Sequence, residues 1–155
     1  MADVKTDRGW VIEFQHSHIK PEERSSRDAF YARIIWVVNG LRRRRDGAQF
    51  LKAWNAGAPI NGHQDIRRVF SDECALLREW ASSPSPIFFD FGGGKIIWWL
   101  FHKSRNGRAY VMPFSYSDFV AIHRGEQQRM ANDFDELMKD IGELVARFES
   151  FHRIQ

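Results

Sequence analysis

Near its beginning the sequence reads Asp3-Val-Lys-Thr-Asp-Arg-Gly-Trp-Val-Ile-Glu-Phe-Gln15, and this stretch decides the fold. Two short strand-like runs flank a glycine-containing turn, which predicts an antiparallel hairpin. Because strand side chains alternate between two faces, Glu13 and Gln15 point the same way. Equal steps back from the turn bring Asp3 opposite the Glu13 to Gln15 end. Oxygen ligands from both strands therefore converge, and such hard ligands suit Mg²⁺ or Mn²⁺ better than Zn²⁺.

The composition indicates one domain, residues 1–155, with an aromatic core. The chain has 155 residues, among them 13 Phe and 6 Trp, and a formal net charge of +3, and this length fits a single domain. The lone cysteine, Cys74, excludes an intramolecular disulfide and multi-cysteine zinc sites, so we expect a buried thiol. No apolar run is long enough to cross a bilayer, and the first twenty residues are too charged for a secretory signal. We therefore expect a cytoplasmic protein without a membrane partner.

A helix and a buried strand are predicted directly after the hairpin. Pro21 followed by two acidic residues is a good helix start, and a helix from Pro21 to Ile34 places Arg27 and Tyr31 on one side. The apolar run from Ile34 to Val38 is typical of a strand covered on both faces. Because a helix separates this strand from the hairpin, we expect it to pair in parallel with the second hairpin strand.

Residues 41–86 form a basic and helical insertion. Helices are predicted over Gln49–Asn55 and Ser71–Trp80, with a loop from Gly57 to Gly62 between them. The run Arg42-Arg-Arg-Arg45 cannot be buried as a whole. It is either a solvated loop or a surface that contacts phosphates.

Residues 87–124 predict a β-meander. The turn sequences Gly92-Gly-Gly94 and Asn106-Gly107 separate three strand-like runs, and a brief helical turn from Ser115 to Ile122 follows them. The three runs are Ile87–Phe91, Ile96–His102 and Ala109–Phe114. Aromatic residues on these strands either form the core or stack nucleotide bases.

Residues 125–155 predict one long helix, from about Glu126 to His152. Apolar residues recur from Met130 to Phe151 at alternating steps of four and three, which is a heptad seam. This seam either packs on its own domain or forms a homo-oligomer.

Four further polar residues have competing explanations. Asp90, on an apolar strand, is either a third carboxylate of the site or an edge residue that faces solvent. His16, His18 and His63 lack cysteine partners, so we interpret them as phosphate or structural contacts. A histidine general base in a metal-free nuclease is the alternative.

Residues 1–40 resemble one nuclease family in the order of their features. These features are Val11-Ile-Glu-Phe-Gln-His-Ser-His-Ile19, then Glu22-Glu23, Arg27, Tyr31, and Ile35-Trp-Val-Val-Asn-Gly40. Together they resemble the nuclease core of competence CoiA-like proteins, which belong to the PD-(D/E)XK superfamily. The resemblance implies an α/β (α+β) restriction-endonuclease-like core. It also implies a core truncated at its N-terminus, because the family places a helix and a strand before the strand of the first aspartate.

The same resemblance implies roles for individual residues. Asp3 and Glu13 would be the metal carboxylates, Gln15 would occupy the position where most of the superfamily has lysine, and Arg27 and Tyr31 would face the site. The implied activity is Mg²⁺- or Mn²⁺-dependent hydrolysis of phosphodiester bonds, with DNA preferred to RNA as the partner. Because glutamine cannot neutralise developing negative charge, Arg27, Lys5 or Lys20 would supply the positive charge. Lys5, Lys20, Arg42, Arg43, Arg44 and Arg45 would contact the nucleic acid.

A catalytically inactive nuclease-fold module that binds nucleic acid or a protein partner is the alternative. It is motivated by the truncated core, by glutamine in place of lysine, by the four arginines and by the heptad seam. A third hypothesis is an interaction protein whose basic run docks an acidic partner.

Overall fold

Eight β-strands form one mixed sheet in the computed structural model, which describes residues 3–60, 62–101, 106–124 and 133–153. The strands are β1 Val4–Lys5, β2 Val11–Gln15, β3 Ile34–Asn39, β4 Ala58–Ile60, β5 His63–Phe70, β6 Ile87–Asp90, β7 Ile96–Phe101 and β8 Arg108–Ser115. The helices are α1 Pro21–Phe30, α2 Asp46–Ala56, α3 Ala75–Trp80, α4 Tyr116–His123 and α5 Phe134–Arg153. The strand order is β1-β2-β3-β6-β7-β8-β5-β4. The predicted mixture of helices and strands is therefore confirmed.

The predicted front hairpin is present. β1 pairs antiparallel with β2, with Val4 opposite Ile12 and Lys5 opposite Val11. Gly9 has φ +81°, a left-handed conformation that glycine adopts without steric cost. Its N–H donates to the carbonyl of Thr6 at 3.0 Å, which closes the turn.

Strands β2, β3 and β6 pair in parallel. The parallel pairing of β2 with β3 was predicted from the sequence. The predicted end of α1 at Ile34 was wrong, because the helix stops at Phe30 and Tyr31 is already extended, with φ −100° and ψ 106°. Ile34 to Val38 is β-branched or aromatic and buried between two layers, so it favours a strand. The intervening residues turn the chain from the helix into the sheet.

The predicted antiparallel meander β6-β7-β8 is confirmed. The predicted helix after it, α4, is also confirmed. Ser115 caps the N-terminus of α4, because its side chain accepts the N–H of Asp118. The predicted loop from Gly57 to Gly62 was wrong, since β4 lies there and pairs with β5. Pro59 is tolerated because β4 is an edge strand. The predicted helix from Ser71 divides into a 3-10 turn, Ser71–Glu73, and α3.

The sheet has a separate core on each face. Helices α2 and α3 cover one face through Phe50, Leu76 and Trp80, and the buried Cys74 belongs to this core. Helices α4 and α5 cover the other through Phe119, Phe134, Leu137, Val145 and Phe148. Both faces of the central strands are thus buried.

Helix α5 packs on its own sheet. Its described part begins at Phe134, where Asp133 Oδ1 accepts the N–H of Glu136 at 2.8 Å. The predicted helical residues 126–132, with Met130 of the seam, lie outside the described residues. The described part of the seam buries Phe134 and Leu137 in the core. None of the described helices is long and apolar enough to cross a membrane.

Candidate functional site

The register of the front hairpin places Asp3 beside Glu13. Val4 pairs with Ile12, so Asp3 lies one residue further along, next to Glu13 on the neighbouring strand. Asp3 Oδ2 accepts the backbone N–H of Phe14 at 2.8 Å. This bond fixes the aspartate to β2, while the second oxygen of a carboxylate remains able to bind a cation.

Glu13 is a buried carboxylate that pairs with helix α1. It is 4% exposed, and its Oε2 accepts Arg27 Nη1 at 3.1 Å. Arg27 Nη2 also donates to Glu23 Oε1 at 2.7 Å, and its guanidinium lies 6.0 Å from the ring centroid of Trp36. Because a buried carboxylate without a partner is costly, Arg27 both neutralises Glu13 and attaches α1 to β2.

Gln15 lies on the same face as Glu13, at the carboxyl end of β2. Its Nε2 donates to the carbonyl of Ser17 at 2.7 Å. Beside it is a cavity of about 140 Å³, whose polar lining includes Gln15, His18, Arg24, Asn39, Arg42 and Glu79. Two guanidinium groups, those of Arg24 and Arg42, and one carboxylate, that of Glu79, therefore line this cavity.

Arg24 and Arg42 are held at this cavity by different contacts. Arg24 Nη1 donates to the carbonyl of Glu79 at 2.6 Å, and its guanidinium stacks on Trp80 at 4.7 Å. Arg42 Nη2 lies 3.7 Å from Glu79 Oε2. No role at the site was predicted for Arg24, because its contacts with Glu79 and Trp80 are not visible in the local sequence.

The other three arginines of the run divide into two kinds. Arg43 is structural: it bonds Asp46 Oδ2 at 2.9 Å and also pairs with Glu79, which joins the start of α2 to α3. The hydrogen bond with the buried Asp46 raises the pKa of Arg43 above its ordinary value. Arg44 and Arg45 are exposed. Of the run, these last two present the most accessible charge to a partner.

Tyr31, Lys5 and Lys20 lie near the site without direct contact to Glu13 in the described structure. Tyr31 packs edge-on against Phe30, with ring centroids 4.8 Å apart. Lys5 is opposite Val11 and shares its face of the hairpin, and Lys20 immediately precedes α1; both are exposed.

Asp28 is a polar residue that the sequence interpretation missed. Its Oδ1 accepts both Trp36 Nε1 and Ser85 Oγ, each at 2.8 Å. The carboxylate therefore joins α1 to β3 and to the segment before β6. An acid followed by ordinary helix residues gives no signal of such a role.

Asp90 is not brought to Glu13. It pairs with Asn39 across β3 and β6, and its Oδ1 accepts the N–H of Gly92 at 2.8 Å. It lines a second cavity of about 210 Å³ together with His16. By strand alternation this cavity lies on the opposite sheet face from Glu13. His63 starts β5, near the far edge of the sheet.

The donor chemistry at Asp3 and Glu13 fits Mg²⁺ or Mn²⁺. The two carboxylates and the amide oxygen of Gln15 are hard ligands, and these ions commonly retain water ligands. Within the described residues no group of three His, Cys, Asp or Glu side chains is placed to hold a metal ion. A dication at Glu13 therefore depends on two carboxylates and water, and it competes with Arg27 for one carboxylate oxygen.

Comparisons of the chain with protein-family models, with curated proteins and with solved structures gave no match.

Proposed function

We propose that the chain is a metal-dependent nuclease of the PD-(D/E)XK type, similar to CoiA-like proteins, that hydrolyses phosphodiester bonds of DNA. The observation that carries this proposal is the buried Glu13, which lies beside Asp3 on one side and is held by Arg27 on the other. Burying the Glu13 carboxylate is costly without a partner, and a divalent cation shared with the exposed Asp3 would be a second partner beside Arg27.

Asp3 and Glu13 would hold Mg²⁺ or Mn²⁺. When bound, the ion polarises a phosphodiester oxygen and lowers the pKa of a water ligand. Gln15 would orient the attacking water by a hydrogen bond, since an amide can both donate and accept.

Arg27 would provide the positive charge that the superfamily's lysine provides elsewhere. Its guanidinium has two anchors, Glu13 and Glu23. If the bond to Glu13 is released and the bond to Glu23 is kept, the guanidinium would be available to stabilise negative charge that develops on a phosphate bound at Glu13.

The cavity beside Gln15 would hold an adjacent phosphate of the DNA backbone. Arg24 and Arg42 provide the charge, and the exposed Lys5, Lys20 and the pair Arg44 and Arg45 extend the basic surface. Contacts of this kind position a nucleic acid without reading its sequence.

Cleavage of plasmid DNA with Mg²⁺ or Mn²⁺ tests the proposal. Glu13→Gln keeps the size of the side chain and a hydrogen bond to Arg27 but removes the charge, and we expect activity to fall by about a hundredfold or more. The matched control is Glu143→Gln on the exposed side of α5, which should cleave as the parent does. Circular dichroism establishes that both variants are folded. Undiminished cleavage by Glu13→Gln, or no cleavage by the parent with any divalent metal, would contradict the proposal.

A second candidate function is a catalytically silent module that binds nucleic acid. The observation that favours it is that Arg27 already neutralises Glu13, as in a purely structural ion pair. In that case a double variant, Arg44→Gln with Arg45→Gln, should weaken DNA binding and lower its salt dependence, by a slope of about one for each phosphate that is no longer neutralised. Glu13→Gln should leave binding unchanged, and no metal should give cleavage. Because Arg43 joins α2 to α3, it is kept in this design.

A further inference from the structure

A cavity of about 350 Å³ lies between α5 and the amino-terminal ends of the parallel strands. Trp10 precedes β2, Ile34 begins β3 and Pro86 precedes β6, and all three line the cavity. The other wall is α5, which contributes Met138, Gly142 and Val145. The cavity is therefore at the opposite end of β2 from Gln15 and is separate from the candidate nuclease site.

The lining is uncharged and includes three aromatic side chains. Trp10, Trp99 and Phe101 line the cavity, and the rings of Trp99 and Phe101 lie 4.2 Å apart. None of the described residues that line it is charged. The hydroxyl of Ser85 already donates to Asp28 at 2.8 Å. The lining therefore offers no ionic partner to a charged ligand.

Gly142 leaves the cavity open from the side of the helix. It lies in the interior of α5, and a Cβ at this position would meet no atom within 4 Å. Glycine in a helix interior is about 1 kcal/mol less favourable than alanine. Met138 and Val145, four residues before and three after, line the same cavity, so a larger residue at 142 would extend into it.

We propose that this cavity binds an uncharged aromatic molecule of one or two fused rings. An apolar cavity of about 150 Å³ is sufficient for benzene, and ligand pockets begin at roughly 300 Å³. Aromatic walls favour edge-to-face contacts with a ring. A rigid ring also loses less conformational entropy on binding than a flexible hydrocarbon chain of similar area.

Naphthalene is the probe, and binding is followed by thermal melting and by the NMR signals of the tryptophan indole N–H groups. We expect naphthalene to raise the melting temperature of the parent and to shift the signals of Trp10 and Trp99. Gly142→Leu fills the cavity and should weaken binding by about tenfold or more, which is about 1.4 kcal/mol. The matched control is Ala146→Leu on the exposed side of the same helix, which should bind as the parent does.

A second variant keeps the test decisive if Gly142→Leu disturbs α5. Ala32→Phe places a ring at an exposed lining position, away from that helix, and should also weaken naphthalene binding. No binding by the parent, or parent-like binding by both cavity variants, would overturn the proposal. Tighter binding of decanol, an uncharged flexible chain, would overturn the assignment of an aromatic ligand. Neither thermal melting nor the NMR signals depend on DNA cleavage, so the outcome for naphthalene binding is independent of the proposed nuclease activity.

Discussion

His123 is a histidine enclosed by aromatic rings. Its ring centroid lies 4.6 Å from that of Phe119 and 5.0 Å from that of Phe134. Its Nε2 is buried and has no hydrogen-bond partner among the described residues. Burial therefore lowers the pKa of His123 to about 4, so the imidazole is neutral in the folded protein near neutral pH.

The buried His123 predicts an acid-sensitive fold. As pH falls below 6.5, the ordinary pKa of histidine, the unfolded chain takes up the proton before the folded chain does. The free energy of unfolding is therefore unaffected by protonation of His123 above pH 6.5 and falls as the pH is lowered from 6.5 towards 4. The total decrease is at most about 3 kcal/mol. Urea unfolding between these pH values measures the slope. His123→Phe keeps the ring contacts and should flatten the slope, whereas the exposed His63→Gln should not; equal slopes for His123→Phe and the parent would contradict the prediction.

Some residue positions of the candidate site could be predicted from the sequence, and some of its contacts could not. Strand alternation and the symmetric turn were enough to place Asp3 opposite Glu13 and Gln15 on the same face as Glu13, because both depend on local geometry. The ion pair of Glu13 with Arg27 depends on where α1 crosses the sheet, which fourteen residues of separation do not reveal. The bond of Asp3 to the N–H of Phe14 likewise depends on the exact path of the chain before β1.

At the scale of elements, the strands with a continuous apolar or alternating sequence were predicted, and strands without either pattern were missed. β5 reads His-Gln-Asp-Ile-Arg-Arg-Val-Phe, and its buried residues, Ile66 and Val69, are three apart. They face opposite cores, so the strand shows neither alternation nor a continuous apolar run. Pairing with β8 and β4 makes it a strand, and such non-local contacts are invisible in the local sequence.

Two glycines in or beside regular elements predict opposite responses to alanine. Gly142→Ala in α5 should raise the free energy of unfolding by about 1 kcal/mol, because the added methyl group meets open space and alanine favours the helix. Gly40→Ala, just after β3, should lower it by about 1–3 kcal/mol, because its Cβ would overlap the ring of Phe91. That ring packs on Phe50 at 4.8 Å and cannot move without disturbing the core. Urea unfolding of the two variants checks the sign, and a loss of stability in Gly142→Ala would show that the cavity side of α5 is closed.

At the scale of the whole molecule, the sheet separates two surfaces with different chemistry. Glu13 and the basic cavity are on the face of α1, α2 and α3, whereas α4 and α5 cover the other face with apolar and aromatic residues. Tyr110 on β8 joins that second layer by donating its hydroxyl to Glu149 of α5 at 3.0 Å. The candidate site and the arginines of its cavity therefore lie on one side of the sheet, and the layer of α4 and α5 lies on the other.

The packing of α5 on its own sheet predicts that stability does not depend on protein concentration. In a coiled coil between copies, the seam would be buried only on association, and the melting temperature would rise with concentration. In the structure Leu137 is 2% exposed within its own chain, and Phe151, the last residue of the seam, is 63% exposed. We therefore expect one melting temperature over roughly a hundredfold range of concentration.

Leu137→Asp should destabilise the fold at every concentration, and Phe151→Asp should have little effect. A melting temperature that rises with concentration, and loses this dependence in Phe151→Asp, would instead place the end of the seam between two copies of the chain.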